Sequence, residues 1–314
     1  MSKKIIFFGT PSFAVSCLDK VVEEKFNVVA VVTSPDRPAG RGRKIQSSAV
    51  KHFVEAKNIP LLQPACLKAP EFLKQLNGLE PDLMVVVAFR MLPREVWSIP
   101  PLGTFNLHAS LLPNYRGAAP INWSIINQEK QSGVTTFFIN EQIDSGAILL
   151  QEKVDIETQD TAGSLHNKLA KKGSELICNT IRGIFKGSIT PQKQKVKGSE
   201  KAAPKLNKEN IFIDWDQTLD AIQAKIRGLS PYPGAKFNWI EDDKKIIIKI
   251  FKAEVVKENH PFDPKKVIIK DHKILITHST GFLNCIILQF PNKKQMNAID
   301  LLNGHSFSNK AQVS

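Results

Sequence analysis

The apolar residues of the first ninety positions fall in unbroken runs, KKIIFFG from Lys3, NVVAVVT from Asn27 and DLMVVVA from Asp82. A strand that reads this way is covered on both faces, which is the condition of a parallel sheet flanked by helices. Helical stretches lie between the runs, at Phe13–Glu24, Ser47–Lys57 and Pro70–Leu76, with a short IPLLQ strand at Ile59–Gln63. The pattern predicts an α/β domain with a doubly wound, mostly parallel, Rossmann-like sheet.

A longer helix at Thr161–Phe185, capped by Asp160 or Thr161, closes this half. The stretch GSITPQKQKVKGSEKAAPKLNKEN that follows is polar, lysine-rich and punctuated by Pro191 and Pro204, the composition of a linker. Beyond it the grammar changes to short segments, KFNWI, KKIIIKIFKAEVV, KVIIK, HKILITHS and LNCIILQF, with one helix at Thr218–Leu229. That spacing predicts a small antiparallel, OB-like β-barrel. At 314 residues the chain is long for one core. The expected division is 1–189, a connector at 190–208, and 209–314.

The net charge of +13 favours a polyanionic partner, although it also serves solubility alone. Met1–Thr190 carries 22 basic and 17 acidic residues and Pro191–Ser314 carries 21 and 13, so the excess is denser in the second part. Cys17, Cys66, Cys178 and Cys285 stand singly, which predicts buried or half-buried free thiols, no disulfide and no metal. The N-terminal apolar run is too short for a signal peptide, and no run is long enough for a membrane span. A cytoplasmic protein without a membrane partner is expected.

The chemistry concentrates in NLHASLLPNYRGAAP, Asn106–Pro120. On a strand Asn106 and His108 share a face, and open α/β sheets place ligands where such strands end. An amide and an imidazole suit a reaction in which negative charge develops on a carbonyl oxygen. The imidazole also exchanges protons near neutral pH, particularly beside a carboxylate. Asp144 in INEQIDSGA is the candidate, in a loop where Gly146 permits close backbone approach. The plain alternatives are an Asp-Ser-Gly turn and a satisfied strand histidine. The loop SPDRPAGRGRK lacks the order of a P-loop, and FFGTPSFA has one glycine where a dinucleotide fingerprint has three.

FFGTPSFA, SPDRPAGRGRK, NLHASLLPNYRGAAPI and IDSG, in this order and spacing, resemble the methionyl-tRNA formyltransferase family along essentially the whole chain. The resemblance implies transfer of the formyl group of 10-formyltetrahydrofolate to the amine of methionyl initiator tRNA, with Asn106, His108 and Asp144 catalytic. In that scheme Asn106 and His108 hold the oxyanion, and Asp144 orients His108. It further implies a formyltransferase domain at 1–189 and a tRNA-binding domain at 209–314. Ser110, Leu111, Leu112, Pro113, Val87 and Phe89 would line the folate pocket, and Arg37, Arg41, Arg43 and Lys44 would meet the tRNA. No metal is implied, and a monomer is expected. The chain departs from the family pattern in two places: Arg90–Leu92 is one residue shorter, and Gln142 stands where glycine is common. Glycinamide ribonucleotide and sugar-nucleotide formyltransferases, which would lack the basic second domain and the arginine loop respectively, are the competing enzymes. An RNA-binding protein on an inactive scaffold is the alternative of another class.

Overall fold

The computed structural model describes residues 2–39, 44–242, 244–304, 307–308 and 310–314. The chain forms two compact units, one of residues 1–117, 131–155 and 166–202, the other of 118–130, 156–165 and 203–314. It therefore passes between them five times.

The first part of the chain runs β1 (Lys4–Gly9), α1 (Ser12–Glu23), β2 (Asn27–Val32), β3 (Arg37–Ala39), β4 (Lys44–Gln46), α2 (Ala49–Ala56) and β5 (Leu61–Leu62). It continues with α3 (Pro70–Gly78), β6 (Leu83–Val87), α4 (Arg94–Trp97), β7 (Thr104–His108), β8 (Arg116–Gly117) and α5 (Pro120–Ile126). β9 (Gln131–Phe138), β10 (Ile148–Asp155), α6 (Ala162–Lys186) and β11 (Ala202–Ala203) follow. The main sheet has the order β10-β9-β7-β6-β1-β2-β5. Five of its strands are parallel; β9 and β10 are antiparallel additions on one edge. The parallel strands run in the order 3-2-1-4-5 of a doubly wound fold, reversing between β1 and β6.

The unbroken apolar runs are buried as expected. β6 is buried at every position and β1 at all but its first. Met84 and Val86 pack under Phe72, Leu76 and Val96 of the helices on one face. α2 is capped by Ser48, whose hydroxyl accepts from Lys51 N at 3.0 Å. Several features were not read from the sequence, among them α4, β10, α5 and the ribbon of the arginine loop. α5 is a seven-residue helix, and the arginine loop begins and ends as an antiparallel ribbon of β3 with β4, Arg37 opposite Gln46.

The rest of the chain gives α7 (Leu219–Gly228), β12 (Ala235–Glu241), β13 (Lys244–Val256), β14 (Val267–Lys270), β15 (Lys273–His278), β16 (Gly281–Gln289), β17 (Met296–Asn297), α8 (Ala298–Gly304) and β18 (Gln312–Val313). The antiparallel sheet β14-β15-β16-β13-β12-β18 curls until its ends meet. Val267 donates to Ala311 O at 2.9 Å and Val313 to Lys265 O at 2.8 Å, so the barrel is nearly closed. Its core is Trp215, Phe237, Trp239, Ile248, Ile250, Ile274 and Leu283, with α7 laid across it through Ile222 and Ile226. α8 is an addition to the expected elements.

Cys17, Cys178 and Cys285 are buried; Cys66 is exposed, contrary to expectation. Burial pushes the Cys178 thiol up to about 11, and those of Cys17 and Cys285 further. Among the described residues no helix is long and apolar enough to cross a membrane.

Candidate active site

β7 has the central place next to β6, with Val86 opposite Asn106 and Val87 opposite Leu107. Its alternation sends Phe105 and Leu107 to one face and Asn106 and His108 to the other. Asn106 is half-buried and makes no side-chain hydrogen bond among the described residues, so its amide is available to a ligand. His108 is 7% exposed, and its Nε2–H donates to Tyr115 O at 2.7 Å. That bond fixes the ring and its tautomer, leaving Nδ1 as the nitrogen at which a proton is gained or lost.

Nδ1 faces Asp144 Oδ2 at 3.7 Å. This is an ion-pair distance and too long for a hydrogen bond. The orienting contact expected from Asp144 is thus made by the Tyr115 carbonyl, and the carboxylate stands across a gap from the ring. Asp144 is itself held by Gly117, whose N–H donates to Oδ2 at 2.9 Å. Its backbone has φ 50°, a left-handed conformation for a residue with a Cβ. Two residues on, Gly146 meets β9 so closely that a Cβ would lie 1.6 Å from Phe138 O. The loop can take this path only with glycine there, as the sequence suggested.

The turn after β7 is built on one buried hydroxyl. Thr135 Oγ1 donates to Ser110 O at 2.6 Å and accepts from Leu112 N at 3.2 Å and from Gln151 Nε2 at 2.9 Å. Gln151 also donates to Leu112 O at 2.9 Å, and the Ser110 hydroxyl to Asn114 O at 2.6 Å. The hydroxyl and carbonyl of Ser110 and the N–H and carbonyl of Leu112 are therefore used within the protein. Ser110, Leu112 and Val87 are 1%, 4% and 0% exposed, whereas Leu111, Pro113 and Phe89 are half-buried. Of the six expected pocket residues, the last three are the ones with surface to offer.

Phe89 lies edge-on to Phe8 at 5.6 Å between ring centres. The next residue, Arg90, donates to the carbonyls of Pro64 and Ala65, which pins the shortened segment to the neighbouring loop. Burial pushes the Arg90 guanidinium down from its ordinary value, and the charge of Arg37 adds to this. Gln142, the other departure, is exposed and has no left-handed backbone, so its position makes no demand for glycine.

In the arginine loop Arg37 is exposed at the start of β3, and Lys44 opens β4. Arg41 and Arg43 lie outside the described residues. Asp36, just before the ribbon, is bound by Lys51 Nζ at 2.6 Å and Gln63 Nε2 at 3.0 Å. The Lys51 ammonium, then the Gln63 amide, hold its carboxyl below the usual carboxylate range.

Sequence reasoning missed Tyr115, Gly117, Thr135, Gln151 and Gln194 as parts of the site. The first two act through backbone groups, which leave no side-chain signature. The others are ordinary polar residues whose role depends on distant partners.

An amide and an imidazole at a strand end, with a carboxylate opposite, are groups that can serve acyl-group transfer. Residues 3–181 match the formyl transferase family and residues 205–306 match the formyl transferase C-terminal domain. The chain belongs to the formyl transferase family. Within it, the chain is 48% identical to the methionyl-tRNA formyltransferase of Flavobacterium johnsoniae over 99% of its own length and 98% of the relative's. Against that of Bacteroides fragilis the identity is 44%, covering 96% and 94%. Among solved structures, an N-formyltransferase from Helicobacter canadensis, in complex with folinic acid and dTDP-3-aminofucose, superposes with a TM-score of 0.66 at 21% identity. That match covers 91% of this chain and 99% of the other, and shows the shared fold.

Proposed function

We propose that this protein transfers the formyl group of 10-formyltetrahydrofolate to the free amino group of methionyl initiator tRNA, giving formylmethionyl-tRNA for translation initiation. The observation that carries the reading is the facing of Asp144 and His108 Nδ1 at 3.7 Å beside Asn106, in a formyl transferase domain. The near full-length likeness to methionyl-tRNA formyltransferases supports the choice of acceptor.

In this reading the amine nitrogen bonds to the formyl carbon, the bond from that carbon to the folate nitrogen breaks, and the proton lost by the amine ends on the folate nitrogen. The Asn106 amide donates to the formyl oxygen as it gains charge. His108 holds or yields a proton at Nδ1, and Asp144 across the gap accepts the amine proton and relays it. Asn106, His108 and Asp144 are thus the catalytic group. Phe89, Leu111 and Pro113 offer the folate an apolar surface, with Val87, Ser110 and Leu112 as the wall behind them.

The acceptor end of the tRNA is assigned to Arg37, Arg41, Arg43 and Lys44, and the body of the RNA to the basic barrel. The functional division is proposed as 1–189 for formyl transfer, 190–208 as a connector whose first part belongs to the first compact unit, and 209–314 for RNA. A monomer acting in the cytoplasm fits this role. The test is to incubate the protein with 10-formyltetrahydrofolate and charged initiator tRNA and to measure formylmethionine. Formylation of glycinamide ribonucleotide or of an amino-sugar nucleotide instead, with none of the tRNA, overturns the assignment.

A further inference from the structure

The loop carrying Asp144 is gripped from behind by a residue of the stretch expected to be connector. Gln194 is 7% exposed, and its amide nitrogen donates to Asp144 O and to Gly146 O, both at 2.9 Å. Its amide oxygen accepts from Arg116, Nε at 3.2 Å and Nη2 closer still. The neighbour of Arg116, Gly117, donates to the Asp144 carboxylate at 2.9 Å. Two consecutive residues therefore fix Asp144, one at its carboxylate directly and one at its backbone through Gln194. Gln192, two residues earlier, pairs with Ile148 in both directions, Ile148 N to Gln192 O at 2.7 Å and Gln192 N to Ile148 O at 2.8 Å. Gln194 is thereby held at the end of the same loop.

The left-handed backbone of Asp144 persists only where its surroundings over-determine it. Here two carbonyls and a guanidinium converge on one side chain. Only a primary amide answers that demand, with two N–H donors for the carbonyls and one oxygen for the guanidinium. Glutamate keeps the size and the Arg116 contact but turns an oxygen on the two carbonyls. Methionine keeps the size and leaves all the partners without a bond.

We propose that Gln194, oriented by Arg116, is a positioning residue for formyl transfer that keeps the Asp144 carboxylate opposite His108 Nδ1. The proposal rests on Asp144 acting in the reaction as described above. A displacement of about 1 Å at a reacting group costs up to 100-fold in rate, so the clamp is felt at the chemical step.

The experiment compares steady-state kinetics of Gln194→Glu, Gln194→Met, Asp144→Asn and the double variants with Asp144→Asn, each checked for folding by circular dichroism. Gln194→Glu and Gln194→Met lower kcat roughly 10- to 100-fold, with KM for the charged tRNA and for 10-formyltetrahydrofolate within about twofold of wild type. In the Asp144→Asn background the Gln194 changes cost no further kcat, because their effect travels through Asp144. An unchanged kcat, a loss confined to KM, or a full multiplicative loss in the double variants overturns the proposal. If neither Gln194 variant folds, Arg116→Lys takes their place, since a lysine cannot make the paired Nε and Nη2 contact; an unchanged kcat there overturns it equally. Wild-type turnover by Asp144→Asn would remove Asp144 from the reaction and the proposal with it. Impaired Asp144→Asn beside unimpaired Gln194 variants removes the clamp alone.

Discussion

The two large sheets of this protein bury their side chains by opposite rules. In the parallel sheet β6 is covered along its whole length, because helices lie on both faces. In the barrel β12 alternates, with Ala235, Phe237 and Trp239 buried and Lys236, Asn238 and Ile240 half-exposed between them. A parallel strand meets ligand only at its end, and that is where Asn106 and His108 stand. An antiparallel strand meets solvent at every second residue, so β13 carries Lys245, Lys249 and Lys252 along its length. The first arrangement concentrates a few donors at a point, as bond making requires. The second spreads charge over a surface, as an extended polyanion requires.

The largest effects expected are at the centres of the two arrangements. Trp239 is 1% exposed and meets Phe307 at 4.9 Å and Phe290 at 5.8 Å between rings. Trp239→Ala should lower stability by about 3–5 kcal/mol in urea denaturation, as a large void in a barrel core does. A decrease of less than about 1 kcal/mol would mean that this ring cluster does not hold the barrel. At the strand end, Asn106→Ala, His108→Ala and Asp144→Ala should each reduce formyl transfer by roughly 100-fold or more while leaving tRNA affinity nearly unchanged. Near-normal turnover in any one removes that residue from the mechanism.

How much of this was legible in the sequence follows from the same contrast. Buried parallel strands announce themselves as apolar runs, and Asn106 with His108 shows a common face by spacing alone. Asp144 lies in a separate loop, and the residue pattern could place it only near a strand end. That it stands 3.7 Å from the ring depends on Gly117 N, Tyr115 O and Gln194, which act through backbone groups or across long chain separations. α5 was missed for a related reason. It is one short apolar segment, and its place comes from α7, where Asn122 donates to Gly228 O at 2.8 Å and Ile126 packs on the same glycine. The unit boundaries were illegible because the chain crosses between the units repeatedly. A truncation after Thr190 therefore strips Gln194 from the Asp144 loop and leaves α5 without α7, so loss of activity in such a fragment says nothing about RNA binding.

A smaller effect is expected on the barrel face. Lys236 and Lys249 are directly opposite on β12 and β13, a like-charge pair that costs stability in the free protein. A phosphate backbone laid across the strands would relieve that repulsion. Changing both to glutamine should weaken tRNA binding and lower the slope of log affinity against log salt by about 1 for each phosphate that a lysine no longer neutralises, with kcat at saturating RNA unchanged. An unaltered slope would move the RNA to another face of the barrel.

The smallest effect concerns the ribbon of β3 and β4, the part of the first unit that is built like the second: antiparallel, basic and exposed. Its base is tied down by Asp36 through Lys51 and Gln63. The Asp36 carboxyl is held below its ordinary range in the folded protein, first by Lys51 and then by Gln63. A depressed carboxylate contributes stability at pH values above its unfolded pKa and loses that contribution as the pH falls through its folded pKa. Asp36→Asn should therefore lower the denaturation midpoint slightly at neutral pH, and the difference from wild type should shrink only as the pH falls below the ordinary carboxylate range and through the depressed pKa of the folded Asp36. The pair is partly exposed, so added salt should shrink the difference as well. If the ribbon's anchor matters only for presenting arginines to RNA, the same substitution should raise KM for the charged tRNA and leave kcat alone. A fall in kcat at saturating tRNA would instead tie the ribbon to the chemistry at the strand end and weaken the separation of roles between point and surface.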